Sequence, residues 1–362
     1  MTNNTIGVGI IGAGGWAKYG HIPALRTLDQ FTIAAISSRR QETADQLAAE
    51  LGVPLAFGDY HDLIAHPDVD LVVIPTPGPE HAPLVRAAIL GGKDVYSEWP
   101  LTTTTAESEE LLQLVQHKGV RHVVGLQRRF APSASYAHDL VRDGYVGTIR
   151  GVRMSVGVDA FVPAMPERYR WTIAEANFTN LLAIYGGHFF DLLFHLVGRP
   201  ATFTGITQNQ FPFTTITETG EQVPNTSAHE VMVIGALQQD GLFAIQLEGA
   251  QAHKTGLQIE ITGTEGVLRI TNPRGFQNKD DNALEGMRDG ATTFSPLPIP
   301  DSYAFLGNPA GIDVSSLDTA YLYAAYARDR ANGTHEASNF HDALTLHHMI
   351  DQISQSSTAF FS

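Results

Sequence analysis

The chain has 362 residues, too many for one ordinary hydrophobic core and enough for two. Its 23 Lys+Arg stand against 38 Asp+Glu, a formal charge of −15; that field repels phosphate backbones and anionic lipid and argues against nucleic acid or a membrane surface as partner. The absence of cysteine excludes disulfides, thiolate metal centres and thiol nucleophiles. With no basic leader and no apolar run near the roughly 20 residues of a membrane span, a cytoplasmic protein is expected.

Up to about residue 130, short apolar runs alternate with helical patterns. Ile6–Ile11, Phe31–Ile36, Leu71–Ile74, Val95–Tyr96 and Val120–Gly125 read as strands, and 42–51, 83–90 and 106–117 as helices. This alternation predicts a doubly wound parallel sheet, a Rossmann domain over residues 1–130. Residues 131–362 change character. Longer strands are expected near 146–159, 202–210, 230–237, 242–250, 257–262 and 267–270, with helices near 187–197, 316–332 and 341–355. That pattern predicts an α+β domain with an open, mostly antiparallel sheet. Residues 272–311, rich in Gly, Pro and Asp, read as a long surface excursion.

The first strand runs into Gly12-Ala13-Gly14-Gly15-Trp16-Ala17, a G-x-G-x-x-A pattern opening a helix. Gly12 permits the tight turn, Gly14 lets a pyrophosphate approach, and small Ala17 lets the helix pack on the strand. The free N–H groups at the helix start favour phosphate. The second strand ends in Ser37-Ser38-Arg39-Arg40, where an NAD site would carry a carboxylate. Hydroxyls and guanidinium groups there favour NADP, with NAD the alternative.

In order along the chain stand Gly9–Gly14 (GIIGAG), His21–Leu25 (HIPAL), Thr76-Pro77 with His81, Gly92–Leu101 (GKDVYSEWPL) and Gln127–Phe130 (QRRF). Further on come Ile261–Gly266 (ITGTEG) and the ending 342–353. Together they resemble the Gfo/Idh/MocA oxidoreductases, closest to the subgroup containing the galactose-regulon repressor of fungi. The resemblance implies dehydrogenation of sugars, polyols or sugar acids. It also implies a C-terminal sheet domain that forms homodimers or homotetramers. Thr76, Pro77, His81, Glu98 and Trp99 join Gly12, Gly14, Gly15, Trp16, Ala17, Ser37, Ser38 and Arg39 as cofactor-binding candidates.

The family's Glu-Lys-Pro is here Glu98-Trp99-Pro100, and its Asp-x-Gly-x-His is Ile184-Tyr185-Gly186-Gly187-His188, so the lysine and aspartate are replaced. Of the polar catalytic set His188 remains, either as the base or as a group that only hydrogen-bonds substrate, with Tyr185 as a positioning group. Trp99 offers a flat face to a sugar or to nicotinamide, and a cis Trp99-Pro100 bond is expected. Arg128, Tyr169 and Trp171 complete the substrate-binding candidates with Trp99, Tyr185 and His188. Arg129, Arg168 and Arg170 are further cations, and for Arg170 a surface role is the better expectation. His188, Asp191 and His195 share one helix face, but no fourth ligand is evident and no metal site is expected. Two functions remain open: an NADP-dependent oxidoreductase of a sugar-like alcohol with a rebuilt proton-transfer site, or a non-enzymatic NADP-binding sensor acting through protein contacts.

Overall fold

The computed structural model describes residues 5–12, 14–275, 281–307, 309 and 312–360. They form two units, Met1–Gln127 with Asn308–Thr345, and Arg128–Gly307 with Leu346–Ser362. Residues 312–345, grouped with the second domain on sequence, therefore pack with the first.

In the first unit six parallel strands, β1 (Ile6–Ile11), β2 (Phe31–Ser37), β3 (Leu55–Phe57), β4 (Leu71–Ile74), β5 (Asp94–Glu98) and β6 (His122–Gly125), lie in the order β3-β2-β1-β4-β5-β6. The order reverses direction between β1 and β4, the switch point at which open α/β sheets bind ligands. Val8, Ile10 and the whole of β4 are completely buried, as strands covered on both faces must be. Local chemistry sets the helix ends. Thr104 Oγ1 accepts from Glu107 N and donates to the Glu107 carboxylate, an N-cap that starts helix Thr105–Lys118. Gly119, with φ of 66°, ends it.

The returning segment supplies helix Val314–Asn332, capped by Asp313 on Ser316 N. Its Tyr326 donates to Asp94 Oδ2 at 2.7 Å, and Arg330 pairs with Asp70, whose carboxylate accepts Gly7 N at 2.9 Å. This helix is thereby tied to the N-terminal ends of β1 and β5.

In the second unit an eight-stranded sheet has the order β17-β16-β15-β14-β7-β13-β12-β9. Its members are β7 (Ile149–Gly157), β9 (Pro200–Gln208), β12 (Glu230–Leu237), β13 (Leu242–Glu248), β14 (Gly256–Gly263), β15 (Gly266–Asn272), β16 (Ala283–Arg288) and β17 (Ser295–Pro296). A small sheet of β8 (Ala164–Met165), β10 (Phe213–Ile216) and β11 (Gln222–Pro224) stands apart. All neighbours in the large sheet are antiparallel except β7 and β13.

Two sequence expectations need correction. The stretch 272–311 is not simply an excursion: β16 lies within it and pairs with β15, burying Leu284. Residues 175–197 are long and apolar enough to cross a membrane by length and composition alone, yet 72% of their most apolar 18-residue window is buried. It is a core helix, with Phe194 edge-on to Phe243 of β13 at 5.3 Å.

Candidate functional site

In the first unit, Gly12 has φ of 88°, and a Cβ there would meet Thr76 Cγ2 at 2.8 Å, so both backbone and space demand glycine. A Cβ on Gly14 would meet nothing within 4 Å, leaving open space at the start of the helical residues 15–26. Ala13 lies outside the described residues. Ala17 is fully buried, as close helix packing requires. Beside this corner the buried Thr76 Oγ1 has no hydrogen-bond partner. Open space at a helix start with a polar atom waiting beside it fits a dinucleotide pyrophosphate.

Downstream of β2, Ser37 is buried and its carbonyl accepts Gly12 N, so it shapes the corner through its backbone. Ser38 is half-buried and Arg39 and Arg40 are exposed, available to an adenosine phosphate. Thr76 is half-buried and Pro77 exposed, and a three-residue turn then leads into helix His81–Leu90. His81 is buried with its two ring nitrogens 2.7 Å from the carbonyls of Thr76 and Pro100. Burial lowers its pKa, and the carbonyls work against that shift. The side chain therefore clamps the loop after β4 to the turn after β5 rather than presenting itself to a ligand.

That second turn contains Glu98, Trp99 and a cis Trp99-Pro100 bond. Trp99 is 5% exposed. The Glu98 carboxylate lies 3.0 Å from His21 Nε2, and His21 Nδ1 lies 2.7 Å from the Tyr323 hydroxyl. Tyr96 stands edge-on to the His21 ring at 5.1 Å and 4.9 Å from the Tyr323 ring. Burial, followed by the negative charge of Glu98, pushes the Tyr96 and Tyr323 phenols well above their ordinary pKa. Gly125 on β6 makes the room: a Cβ there would fall 2.6 Å from Glu98 Oε1.

In the second unit, Tyr185 lies on a π-helical turn, Leu182–Gly186, and His188 in the first turn of helix Gly187–Val197. Both His188 and Arg128 are 6% exposed, and the Arg128 guanidinium sits 4.9 Å over the Phe189 ring. Burial and then the charge of Arg128 press the His188 pKa down to about 3. Burial raises Tyr185 to about 12, and Arg128 opposes that rise. At neutral pH the cluster is thus one fixed cation, a neutral imidazole and a neutral phenol. Such a set can donate hydrogen bonds to a substrate oxygen and stabilise charge growing on it.

Asp191 pairs with Arg129 Nε at 3.2 Å, and His195 stacks on His138 at 4.6 Å. The three polar residues of that helix face thus have different partners, and among the described residues no group of three or more His, Asp and Glu could hold a metal. Tyr169 and Trp171 are 47% and 39% exposed, with Arg168 4.9 Å over the Tyr169 ring. Arg170 pairs with Glu221 and Glu167 at the surface.

Sequence reasoning assigned no role to His21 or Tyr323, and it did not find Asp281. The last accepts Ser133 N at 2.9 Å and lies within the field of Arg128. His21 stood inside a quoted motif; its partner is 302 residues away, beyond the reach of any local signal.

Residues 6–126 match the model of the Gfo/Idh/MocA oxidoreductase family with its NAD-binding Rossmann fold, and residues 132–272 match that of the Gal80p C-terminal domain. The chain is 35% identical over 187 residues to dehydrogenase aclE of Aspergillus oryzae, covering 51% of this chain and 50% of that one. It is 25% identical over 289 residues to the galactose/lactose metabolism regulatory protein GAL80 of Saccharomyces cerevisiae, covering 74% and 66%. The chain spans about half the length of the first curated relatives it matches. Among solved structures, levoglucosan dehydrogenase in complex with NADH and L-sorbose superposes with a TM-score of 0.86 at 22% identity, covering 98% of this chain and 97% of that one. At that identity the likeness is one of fold.

Proposed function

We propose, from the match of residues 6–126 to the Gfo/Idh/MocA oxidoreductase model and of residues 132–272 to that of the Gal80p C-terminal domain, that this chain is an NADP(H)-dependent oxidoreductase of a sugar-like alcohol. The observation that carries this reading is an open dinucleotide corner at Gly14 in the same chain as a buried Arg128–Tyr185–His188 cluster. Gly12, Gly14, Gly15 and Trp16 would hold the pyrophosphate, and Ser38 and Arg39 the adenosine phosphate. The cofactor supplies hydride acceptance or donation.

The chain's own residues handle the substrate oxygen. His188, neutral at physiological pH, offers one donor and one acceptor nitrogen, Tyr185 offers a hydroxyl, and Arg128 supplies a fixed positive charge. A base whose conjugate acid has a pKa of about 3 holds a proton poorly, so stabilisation of the oxygen contributes more than proton capture by His188.

The test is incubation with NADP+ and a panel of aldoses, polyols and sugar acids, following the absorbance of reduced cofactor. Turnover that is lost on Arg128→Met or His188→Ala supports the reading. The second reading, a dinucleotide-binding regulator acting by protein contact, draws on that same weak base and on the replacement of the family's lysine by Trp99. Micromolar NADP(H) binding without turnover anywhere in the panel would favour it.

For cofactor choice, Arg39→Ala is expected to raise the Kd for NADP+ by about tenfold or more, the worth of a charge-assisted hydrogen bond, while leaving NAD+ unchanged. Equal weakening of both in calorimetric titration would remove the NADP preference.

Self-association through the large sheet is part of the proposal. Its outer face exposes Ile206, Met232, Ile234 and Leu242, with Met232 opposite Ile206 on the neighbouring strand. A groove of about 740 Å³ crosses this face beside Ile234, Leu242 and Arg153. A contiguous apolar surface of this kind is costly to leave in water. The double variant Ile234→Asp with Leu242→Asp is expected to convert an oligomer to monomer in light scattering. A wild-type chain already monomeric at micromolar concentration would end this part of the proposal.

A further inference from the structure

The segment 95–104 that closes β5 and turns through the cis proline contains a single charged side chain, Glu98. Its carboxylate is held by a relay of two side chains. His21 reaches it from the last position of a π-helical turn, Ala17–His21, inside the helix that the glycine motif opens. Tyr323, fully buried on helix Val314–Asn332, backs His21 at 2.7 Å. Such π turns are uncommon insertions concentrated at functional sites.

His21 Nδ1 lies 2.7 Å from the Tyr323 hydroxyl and His21 Nε2 lies 3.0 Å from Glu98 Oε1, so the imidazole, itself fixed by Tyr323, sets the position of the carboxylate. Glu98 retains 14% side-chain exposure, which keeps it in reach of a ligand at the end of β5. In this strand order the adenosine half of a dinucleotide belongs on the β2 side of β1, and its nicotinamide half on the side of β4 and β5.

Oxidised nicotinamide carries a positive charge that the reduced ring lacks, so a fixed charge beside the ring discriminates between the two forms. We infer that Glu98, positioned by His21 and Tyr323, makes this protein bind the oxidised dinucleotide more tightly than the reduced one. The inference rests on the cofactor reading above. It goes further in giving this unit a redox preference, and in naming His21 and Tyr323 as the positioning residues behind it.

The experiment measures Kd for NADP+ and NADPH on the full chain by equilibrium dialysis, for the unmodified protein, Glu98→Gln and Tyr323→Phe. The unmodified chain is expected to favour NADP+. Glu98→Gln keeps the side chain's shape and is expected to weaken NADP+ by about tenfold while NADPH stays within about twofold. That change raises the potential of the bound couple by about 30 mV. Tyr323→Phe keeps the buried ring and is expected to move the ratio the same way by a smaller factor, which a purely structural role would not do. A ratio that is the same in all three proteins overturns the inference, as does an unmodified chain that favours NADPH. Failure of the unmodified chain to bind either form overturns the cofactor reading itself, an outcome distinct from an unchanged ratio.

Discussion

Gly14→Val is expected to abolish dinucleotide binding, raising Kd by roughly a hundredfold or more, without lowering the stability of the protein. A Cβ at this position meets no atom within 4 Å and the backbone has no positive φ, so the folded chain accepts the side chain. The side chain instead occupies the space that a pyrophosphate needs at the helix start. Gly12→Val is the contrasting control. Its φ of 88° and the 2.8 Å approach to Thr76 Cγ2 penalise the fold itself, so that variant should lose about 2–4 kcal/mol of stability as well as binding. Chemical denaturation and dialysis on the two variants separate these effects. Retention of NADP(H) by Gly14→Val within threefold of the unmodified chain would place the cofactor elsewhere.

The second large expected effect is acid lability of the unit formed by Arg128–Gly307 with Leu346–Ser362. His188 and His347 are both buried there, and both have pKa values pressed down to about 3. The first cause in each case is burial; Arg128 adds to it for His188 and His348 for His347. In the unfolded chain these imidazoles take up protons near pH 6.5, whereas in the folded chain they do so only near pH 3. The unfolded state therefore binds more protons throughout that window. Stability is full above about pH 6.5 and falls as pH drops, at roughly 3 kcal/mol per pH unit for the pair. Asp281, whose pKa burial raises, works in the opposite direction.

By pH 4.5 the two histidines together remove roughly 5 kcal/mol, comparable with the whole stability of many domains. Urea midpoints followed by circular dichroism at pH 7 and pH 4.5 test this. His347→Gln should remove about half of the difference. Equal midpoints at the two pH values would mean that neither imidazole is held neutral by the fold.

Much of the first unit is legible in the residues because its strands are apolar throughout and bounded by glycine, proline or aspartate. Ile6–Ile11 and Leu71–Ile74 are found with their expected ends. The three half-buried residues of β3 are too few to show a period, and helix Tyr60–Ala65 is announced only by the Asp59 cap. β16 was hidden by its surroundings. Its Gly286 reads as a breaker, yet glycine is required there because a Cβ would fall 2.1 Å from the Tyr145 hydroxyl. On the functional side, the glycine corner and the His188 helix could be read from spacing. The Glu98–His21–Tyr323 chain could not, since it joins residues far apart in sequence through tertiary packing. The low proton affinity of His188 was equally invisible, because it comes from burial and from Arg128 rather than from any neighbour in the chain.

The return of residues 312–345 to the first unit has a practical and an evolutionary side. An N-terminal fragment ending near residue 130 would lack Tyr323, Tyr326 and Arg330. It would expose the apolar surface that helix Val314–Asn332 covers, and would remove the partners that His21, Asp70 and Asp94 have on that helix. The nucleotide module is thus not a cassette that recombination could lift out in one piece. The chain alternates between the two units, so each is built from two separate segments and neither can be excised with a single pair of cuts.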